Sequence, residues 1–328
     1  MKNSKLKTPI KKIGVLTSGG DGSGMNAAIR SVVRYASHNG LEVAGIMRGY
    51  QGLIDDDIIS LSHRSVSNVI NKGGTLLKTA RCKEFFTREG RKKAAATVKR
   101  HGIDALVVIG GNGSYHGAHL LFSEWKVPCA CIPGTIDNDI RGTDATIGSD
   151  TAVNTALDAI DKIRDTCTSM ERIFVIEVMG RDCGFIAIES ALGGGAEDVL
   201  VPELKFDLRK ICERIKKGRL KGKISWIIIV AEGAAKAQAI AAKITKITRL
   251  ETRVVVLGHI QRGGIPTAKD RILATRLGSA AVDLLLNNQY DKAAGIVNGE
   301  INVIPVREAI KKKDLKVDNF YRLINILT

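Results

Sequence analysis

Proline is scarce, with 6 in 328 residues, and the 34 glycines follow no triplet rule. That excludes a collagen-like or low-complexity chain. Cysteine is sparse too: Cys82, Cys129, Cys131, Cys167, Cys183 and Cys212 contain no C-x-x-C pair. Cys129 and Cys131 point to one face of a strand-like run, but two ligands do not close a zinc site. All six read as buried thiols, and the lack of a bridge framework fits a reducing compartment. Aromatics make up 4%, too few for a base-stacking surface, so nucleic acid is not an expected partner. The apolar runs are short, such as Trp226–Ala231. A membrane span needs about 20 apolar residues. The opening MKNSKLKTPIKK is basic but has no apolar centre or cleavage site, so no secretory signal is expected.

What is present is an ordinary globular mixture, 44% hydrophobic and 26% charged, with enough chain for two domains. The net charge of +16 favours anionic ligands. The basic residues are scattered, and 91–100 and 311–316 read as solvated helix faces. Short apolar runs alternate with helical stretches. Strands are expected at 13–16, 42–47, 105–109, 128–132, 172–179, 198–201, 226–230 and 253–257. Helices are expected at 26–35, 117–125, 152–164, 207–217, 235–247 and 270–287. The alternation predicts α/β architecture with doubly wound parallel sheets. Continuous Val/Ile strands suit sheets covered on both faces.

Ligands of open α/β sheets bind at the carboxyl ends of the strands. Those ends deliver Thr17–Gly24, Arg48-Gly49-Tyr50, Gly110–Ser114, Gly134–Asp139, Gly180-Arg181, Glu232 and His259–Gly264. Glycine lets the backbone approach an anion, and a following helix adds its positive end. So many glycine-plus-polar ends on one chain point to phosphate chemistry. Gly22–Ala27 formally matches G-x-G-x-x-A, but Arg48 and Tyr50 stand where an NAD site wants an acid. Arg48 would suit only the 2′-phosphate of NADP. The Walker A pattern is absent. Asp137 and Asp139, two apart beside Gly134, could divide proton removal from metal or phosphate placement. An Asx-rich turn is the plainer reading of the same segment. His116 and His119 lack a third ligand nearby and read as an exposed helix face.

In order, IGVLTSGGDGSGMNAAIR, GIDALVVIGGNGS, PGTIDNDIRGTD, VIEVMGRDCG, VLGHIQRGG and DRILATRLG resemble the bacterial ATP-dependent 6-phosphofructokinase family. The resemblance runs from about Lys12 to the C-terminus. It implies two Rossmann-like domains with the active site between them. Residues 1–148 plus 262–312 would form the larger nucleotide-binding domain. Residues 149–261 plus 313–328 would form the smaller fructose 6-phosphate domain. It also implies phosphoryl transfer from ATP, with Mg²⁺, to the 1-hydroxyl of fructose 6-phosphate. That is the committed step of glycolysis, run by a cytoplasmic homotetramer.

Roles follow residue by residue. Asp137 matches the base, with Thr135 and Asp139 placing substrate and metal. Gly20, Tyr50, Arg81, Cys82, Gly111, Asn112, Gly113 and Ser114 match ATP positions. Arg81 and Arg181 match cations facing the moving phosphoryl group. Ile136, Met179, Gly180 and Glu232 match sugar contacts. Arg172, Arg253, His259 and Arg262 match the 6-phosphate clamp, with Arg172 and Arg253 coming from a neighbouring subunit. Arg30, Arg34, His63, Arg164, Glu197, Lys221 and Lys223 match effector positions for ADP or phosphoenolpyruvate. Gly113 and Gly134 favour ATP over pyrophosphate as donor.

Departures from the family pattern cluster at the nucleotide. Asn112 replaces the usual Asp and is expected to weaken Mg²⁺ use. Gly22-Ser23 replaces Ala-Pro, which is expected to loosen the first loop. Phe86 stands where an Arg is usual. His63 exchanges a permanent charge for a titratable one, so ADP activation is expected to grow as pH drops toward 6. The alternatives left open are a catalytically impaired regulatory paralogue and a pyrophosphate-dependent enzyme.

Overall fold

The structure is a computed structural model that describes residues 10–327. The N-terminal stretch read for a signal therefore lies mostly outside the described residues. The described chain forms two compact units: residues 10–150 with 262–313, and residues 151–261 with 314–327.

The first unit opens with β1 (Lys12–Ser18), α1 (Met25–His38), β2 (Glu42–Ile46), α2 (Tyr50–Asp55) and β3 (Ile58–Leu61). A single 3₁₀ turn, Glu84–Phe86, precedes α3 (Arg88–Arg100), β4 (Ala105–Gly110), α4 (Asn112–Trp125) and β5 (Cys129–Pro133). Helix α5 (Ser149–Ser169) leads into the second unit. There follow β6 (Ile173–Val178), α6 (Phe185–Gly193), β7 (Asp198–Leu200), α7 (Leu208–Leu220), β8 (Trp226–Ala231), α8 (Ala237–Thr248) and β9 (Thr252–Val256). The chain then returns to the first unit for α9 (Ala268–Leu286), β10 (Lys292–Val297), β11 (Glu300–Pro305) and α10 (Val306–Ala309). Helix α11 (Asp318–Leu327) belongs to the second unit.

The first sheet has seven strands in the order β11-β10-β5-β4-β1-β2-β3. Its interior pairs are parallel, but β3 on β2 and β11 on β10 are antiparallel. The doubly wound α/β expectation holds, with an antiparallel strand added at each edge of this sheet. Both antiparallel strands are edges: β11 turns straight back from β10, and β3 returns beside β2 after the short helix α2. The second sheet, β7-β8-β6-β9, is parallel throughout.

Strands β4, β5, β6 and β8 are buried along their whole length, which is why they read as apolar runs, broken only in β6 by Glu177, whose carboxylate accepts from Lys236 and the Ala237 N–H. On one face of the first sheet, Val15, Val107 and Ile132 pack with Ile29, Val32 and Leu277 of α1 and α9. On the other, Leu16, Leu106 and Val108 pack with Tyr115 and Leu121 of α4. In the second unit Val175, Ile228 and Val230 meet Ile211, Ile215, Ile240 and Ile244. Each such side chain stabilises the fold by about 1.5–3 kcal/mol.

Helix starts fall into two groups. Thr87, Asp207 and Thr267 cap α3, α7 and α9 by accepting backbone N–H bonds. Such caps contribute about 1 kcal/mol. Helices α1 and α4 instead start at Gly24 and Gly111, with no side-chain cap. Helix α4 starts at Asn112, five residues before the expected boundary.

No disulfide joins the six cysteines among the described residues. Cys129, Cys131, Cys167 and Cys212 are buried as expected, but Cys82 and Cys183 are only half-buried. Burial pushes the Cys129 and Cys131 thiols up, which keeps them protonated. Three other surface expectations are corrected. Residues 311–316 lie outside any helix, and the Lys313 ammonium donates to Asn138 Oδ1 and the Thr143 carbonyl. Arg91 is buried: its guanidinium holds Glu124 through two 2.8 Å bonds and also donates to the carbonyls of Phe85 and Phe86. His119 is not exposed either, and its Nδ1 lies 2.8 Å from the Asp291 carboxylate. No cluster of three His, Cys, Asp or Glu able to hold a metal occurs among the described residues.

Candidate active site

In the first unit, β1 delivers the 17–24 loop at its carboxyl end. A Cβ on Gly20 would lie 1.9 Å from Nη1 of Arg262, so glycine leaves room for that guanidinium. Asp21 sits 3.7 Å from the same nitrogen. Arg262 thus belongs to the first unit and covers this loop. Ser23 is buried, and its hydroxyl donates toward the carbonyls of Gly263 and Gly264 at 3.0 and 2.9 Å. The loosening expected from the missing proline is therefore countered, because the serine ties the loop to the 263–264 turn.

After β2, Gly49 has φ 63°, and a Cβ there would lie 2.6 Å from the carbonyl oxygen of Thr17. Only glycine tolerates both. Tyr50 follows. Its ring is buried and stacked on Phe85 at 4.0 Å, and its hydroxyl donates to the Ser114 carbonyl at 2.5 Å. Burial holds its phenol neutral, far above the ordinary value. Tyr50 therefore braces the 110–114 loop. Arg81 is exposed and has no ion-pair partner among the described residues, while Cys82 is half-buried. Phe86 is 83% exposed, on a turn anchored by Arg91.

Strand β4 ends at Gly110, which packs against Ser18 and Ser114. The Ser114 hydroxyl donates to the Ser18 carbonyl at 2.9 Å. Space around Gly113 is open, with nothing within 4 Å of a Cβ placed there. Strand β5 delivers Thr135–Asp139. Thr135 Oγ1 accepts the Asp137 N–H at 3.2 Å, and the Thr146 hydroxyl donates to the Thr135 carbonyl at 2.6 Å. Asn138, at φ 49°, donates to the Asp144 carbonyl, and Lys313 donates to Asn138 Oδ1 and the Thr143 carbonyl. The turn and the chemistry are not alternatives: the turn holds two carboxylates still. Asp137 and Ile136 are buried. Asp139 is bonded at 2.8 Å by the side-chain amide of Asn112. The remaining oxygens of that pair, Asn112 Oδ1 and Asp139 Oδ1, are buried with no hydrogen-bond partner among the described residues. Leaving two such acceptors unpaired is costly. Hard, paired oxygens of this kind suit Mg²⁺.

In the second unit, β6 delivers Met179-Gly180-Arg181. Gly180 has φ 139° and Arg181 φ 49°. Two carboxyl or amide oxygens, accepting three N–H bonds, hold this strained turn. Gln261 Oε1 takes the Met179 N–H at 2.9 Å, and Glu232 Oε1 takes those of Gly180 and Arg181 at 3.3 and 3.1 Å. A Cβ on Gly233 would fall 1.9 Å from the Arg181 carbonyl oxygen, so the two loops interlock. His259 is exposed, on the short 3₁₀ segment Gly258–Arg262. Arg172 and Arg253 are placed elsewhere. Both bind Glu251, at the amino ends of β6 and β9. The six-residue strand β6 puts roughly 20 Å between them and Met179–Arg181.

The residues matched to effector positions also divide. Arg30 and Arg34 lie on α1, and His63 is exposed after β3. Burial, then the neighbouring Arg34 charge, lowers the Arg30 pKa. In the second unit Arg164 donates to the carbonyls of Gly194 and Gly195. Lys223 pairs with Glu197 at 3.2 Å and lies over the Trp226 ring, and Lys221 caps the end of α7.

Sequence reasoning missed Gln261, Lys313 and Arg91. Gln261 stood inside the HIQRGG segment. Arg91 falls at i with Ala94 and Val98 at i+3 and i+7, one apolar face. Nothing local marked Lys313.

Glycine loops at strand ends, a pinned pair of carboxylates and a strained Arg turn define a phosphoryl-transfer type of α/β protein. The phosphofructokinase family profile matches residues 12–285, and the chain belongs to that family. It is 55% identical over 314 residues to the ATP-dependent 6-phosphofructokinase of Bacillus licheniformis, covering 96% of this chain and 98% of that one. It is 52% identical over 331 residues to the protein of the same name from Halothermothrix orenii, covering 97% and 100%. The solved phosphofructokinase of Saccharomyces cerevisiae matches at 37% identity with a TM-score of 0.88, covering 92% of this chain and 45% of that one.

Proposed function

We propose that this chain is an ATP-dependent 6-phosphofructokinase. It transfers the γ-phosphoryl group of ATP to the 1-hydroxyl of fructose 6-phosphate, giving fructose 1,6-bisphosphate and ADP. The observation that carries the reading is the pinned 135–139 turn beside the Gly110–Gly113 loop, which is open at Gly113.

Asp137 accepts the proton of the sugar hydroxyl as the new P–O bond forms. Positioned bases contribute about 10²–10⁴-fold. Arg81 and Arg181 oppose the charge on the moving group, since catalysis here is mostly positioning and electrostatics. Asn112 and Asp139 would hold Mg²⁺ through their unpaired oxygens, and the ion would neutralise phosphate charge. Gly20, Cys82 and Gly111–Ser114 line the nucleotide, with Tyr50 behind them. Gly113 and Gly134 leave ATP, not pyrophosphate, as donor. Ile136, Met179, Gly180 and Glu232 orient the sugar, and His259 and Arg262 take its 6-phosphate. Arg172 and Arg253 serve a neighbouring subunit's sugar, which requires a homo-oligomer, taken as a tetramer. Arg30, Arg34, His63, Arg164, Glu197, Lys221 and Lys223 form an effector site for ADP or phosphoenolpyruvate. The enzyme is cytoplasmic; no described helix is long and apolar enough to cross a membrane.

The test is ATP-dependent formation of fructose 1,6-bisphosphate by purified protein, beside Asp137→Asn. The variant should lose about 10²–10⁴-fold in kcat with ATP affinity kept. Absence of turnover with either ATP or pyrophosphate would replace this reading with a regulatory paralogue.

A further inference from the structure

The end of the first sheet opposite the glycine loops carries a cavity that the phosphoryl chemistry does not use. It lies where the chain enters β1, β4, β5 and β10, and its volume is about 480 Å³. Ligand pockets usually measure about 300–1,000 Å³. Its walls are apolar, including Ile10, Ile103, Trp125, Val127 and Tyr290. Its rim is basic. Lys92 and Lys99, seven apart on α3, share one helix face and are exposed, with no carboxylate partner among the described residues. Lys126 is the third rim cation, and its ammonium donates to the Ser123 carbonyl. The acid lining the cavity is Asp104, whose Oδ2 already accepts the N–H groups of Lys11 and Lys12 at 2.8 and 2.9 Å.

We infer that this cavity binds an apolar carboxylate: a hydrocarbon body on the Trp125–Tyr290 wall and one anionic head among Lys92, Lys99 and Lys126. Each half of the site argues for one half of the ligand. A sugar phosphate or nucleotide would leave its polar groups unpaired against the apolar wall, at a cost. A neutral hydrocarbon would leave the lysines unused. A second copy of this chain, meeting the groove symmetrically, would bring like charges together. Long Lys stems can line an apolar wall and still reach an anion at its mouth.

The test is isothermal titration calorimetry of the full chain with decanoate, below its micelle concentration, and with decanol. Decanoate should bind saturably at one site per chain. The double variant Lys92→Glu/Lys99→Glu, which alters only exposed groups, should weaken it at least 10-fold. Decanol should bind at least 10-fold more weakly than decanoate. Ala96→Trp, which fills the cavity, should abolish binding while fructose 1,6-bisphosphate formation persists. Absence of saturable binding, equal affinity for decanol, or indifference to the charge reversal would overturn the proposal. So would a change in sedimentation coefficient on Ala96→Trp, which would mean that another copy fills the groove.

Discussion

The two units carry their site residues at the same place, the carboxyl ends of parallel strands, but hold them differently. In the first unit, side chains are fixed and space is left open. Thr135, Thr146, Asn138 and Lys313 lock the turn around Asp137, and nothing faces Gly113. In the second, the backbone is locked. Glu232 and Gln261 accept the N–H groups of 179–181, and Gly233 lies against the Arg181 carbonyl. One edge is a cradle with room for a large anion. The other is a rigid rack for one arginine and its neighbours. The same strand-end position thus serves two kinds of recognition, with glycine giving space in one and contact in the other.

The sharpest way to break this contrast is Gly233→Ala. A Cβ there collides with backbone, so the Arg181 turn must move. Misplacing a site by about 1 Å costs on the order of 10²-fold. Steady-state kinetics should show kcat/KM for fructose 6-phosphate falling by that order, with KM for ATP changing less than about 2-fold. Equal effects on both substrates would erase the distinction between the units.

Asn112→Asp probes the cradle. The Asn112 amide now donates to Asp139 at 2.8 Å, and a second carboxylate there would face the first without a donor. Like charges in one site disfavour ionisation of both. Without Mg²⁺ the variant should melt several degrees lower. With MgATP the loss should vanish and turnover should rise. Unchanged turnover would show that Asn112 does not limit metal use.

Tyr50→Phe removes the bond to the Ser114 carbonyl and keeps the stack on Phe85. Denaturant unfolding should show a loss of about 0.5–1.5 kcal/mol, and KM for ATP should rise more than that for the sugar phosphate.

The smallest effect is pH-dependent. The Arg91 bonds hold the Glu124 carboxyl below its ordinary value. That contribution is present above the unfolded-state value and fades as pH falls through the lower folded one. Glu124→Gln should therefore lower Tm at pH 7 and lower it less near pH 3. A constant difference would mean that packing, not charge, anchors the Phe86 turn.

Much of this was legible beforehand because it is local. Fully buried strands such as β4 and β8 announce themselves as apolar runs, and Asp137 stands in a segment dense with chemistry. The edge strands β3 and β11 are less legible because they are short or interrupted by polar residues and are half-exposed, so neither presents a long buried apolar run. The Glu232 carboxylate reads as a sugar contact in sequence, yet it bonds N–H groups more than fifty residues away. Only the folded sheet brings them together. Arg91 looked solvated because two lysines follow it, although its helical phase matched Ala94 and Val98.

Helix α4 has a mechanical consequence. Its first residue, Asn112, meets Asp139, and its last, Trp125, walls the basic-rimmed cavity. Fourteen residues make a rod about 21 Å long. A tilt of roughly 3° about the Trp125 end would carry Asn112 through about 1 Å, on the scale at which catalytic alignment is lost. The buried ring of Tyr115 and the packing of Leu121 are what keep that rod from pivoting. Alignment at one end is therefore a tolerance set partly by the fit at the other.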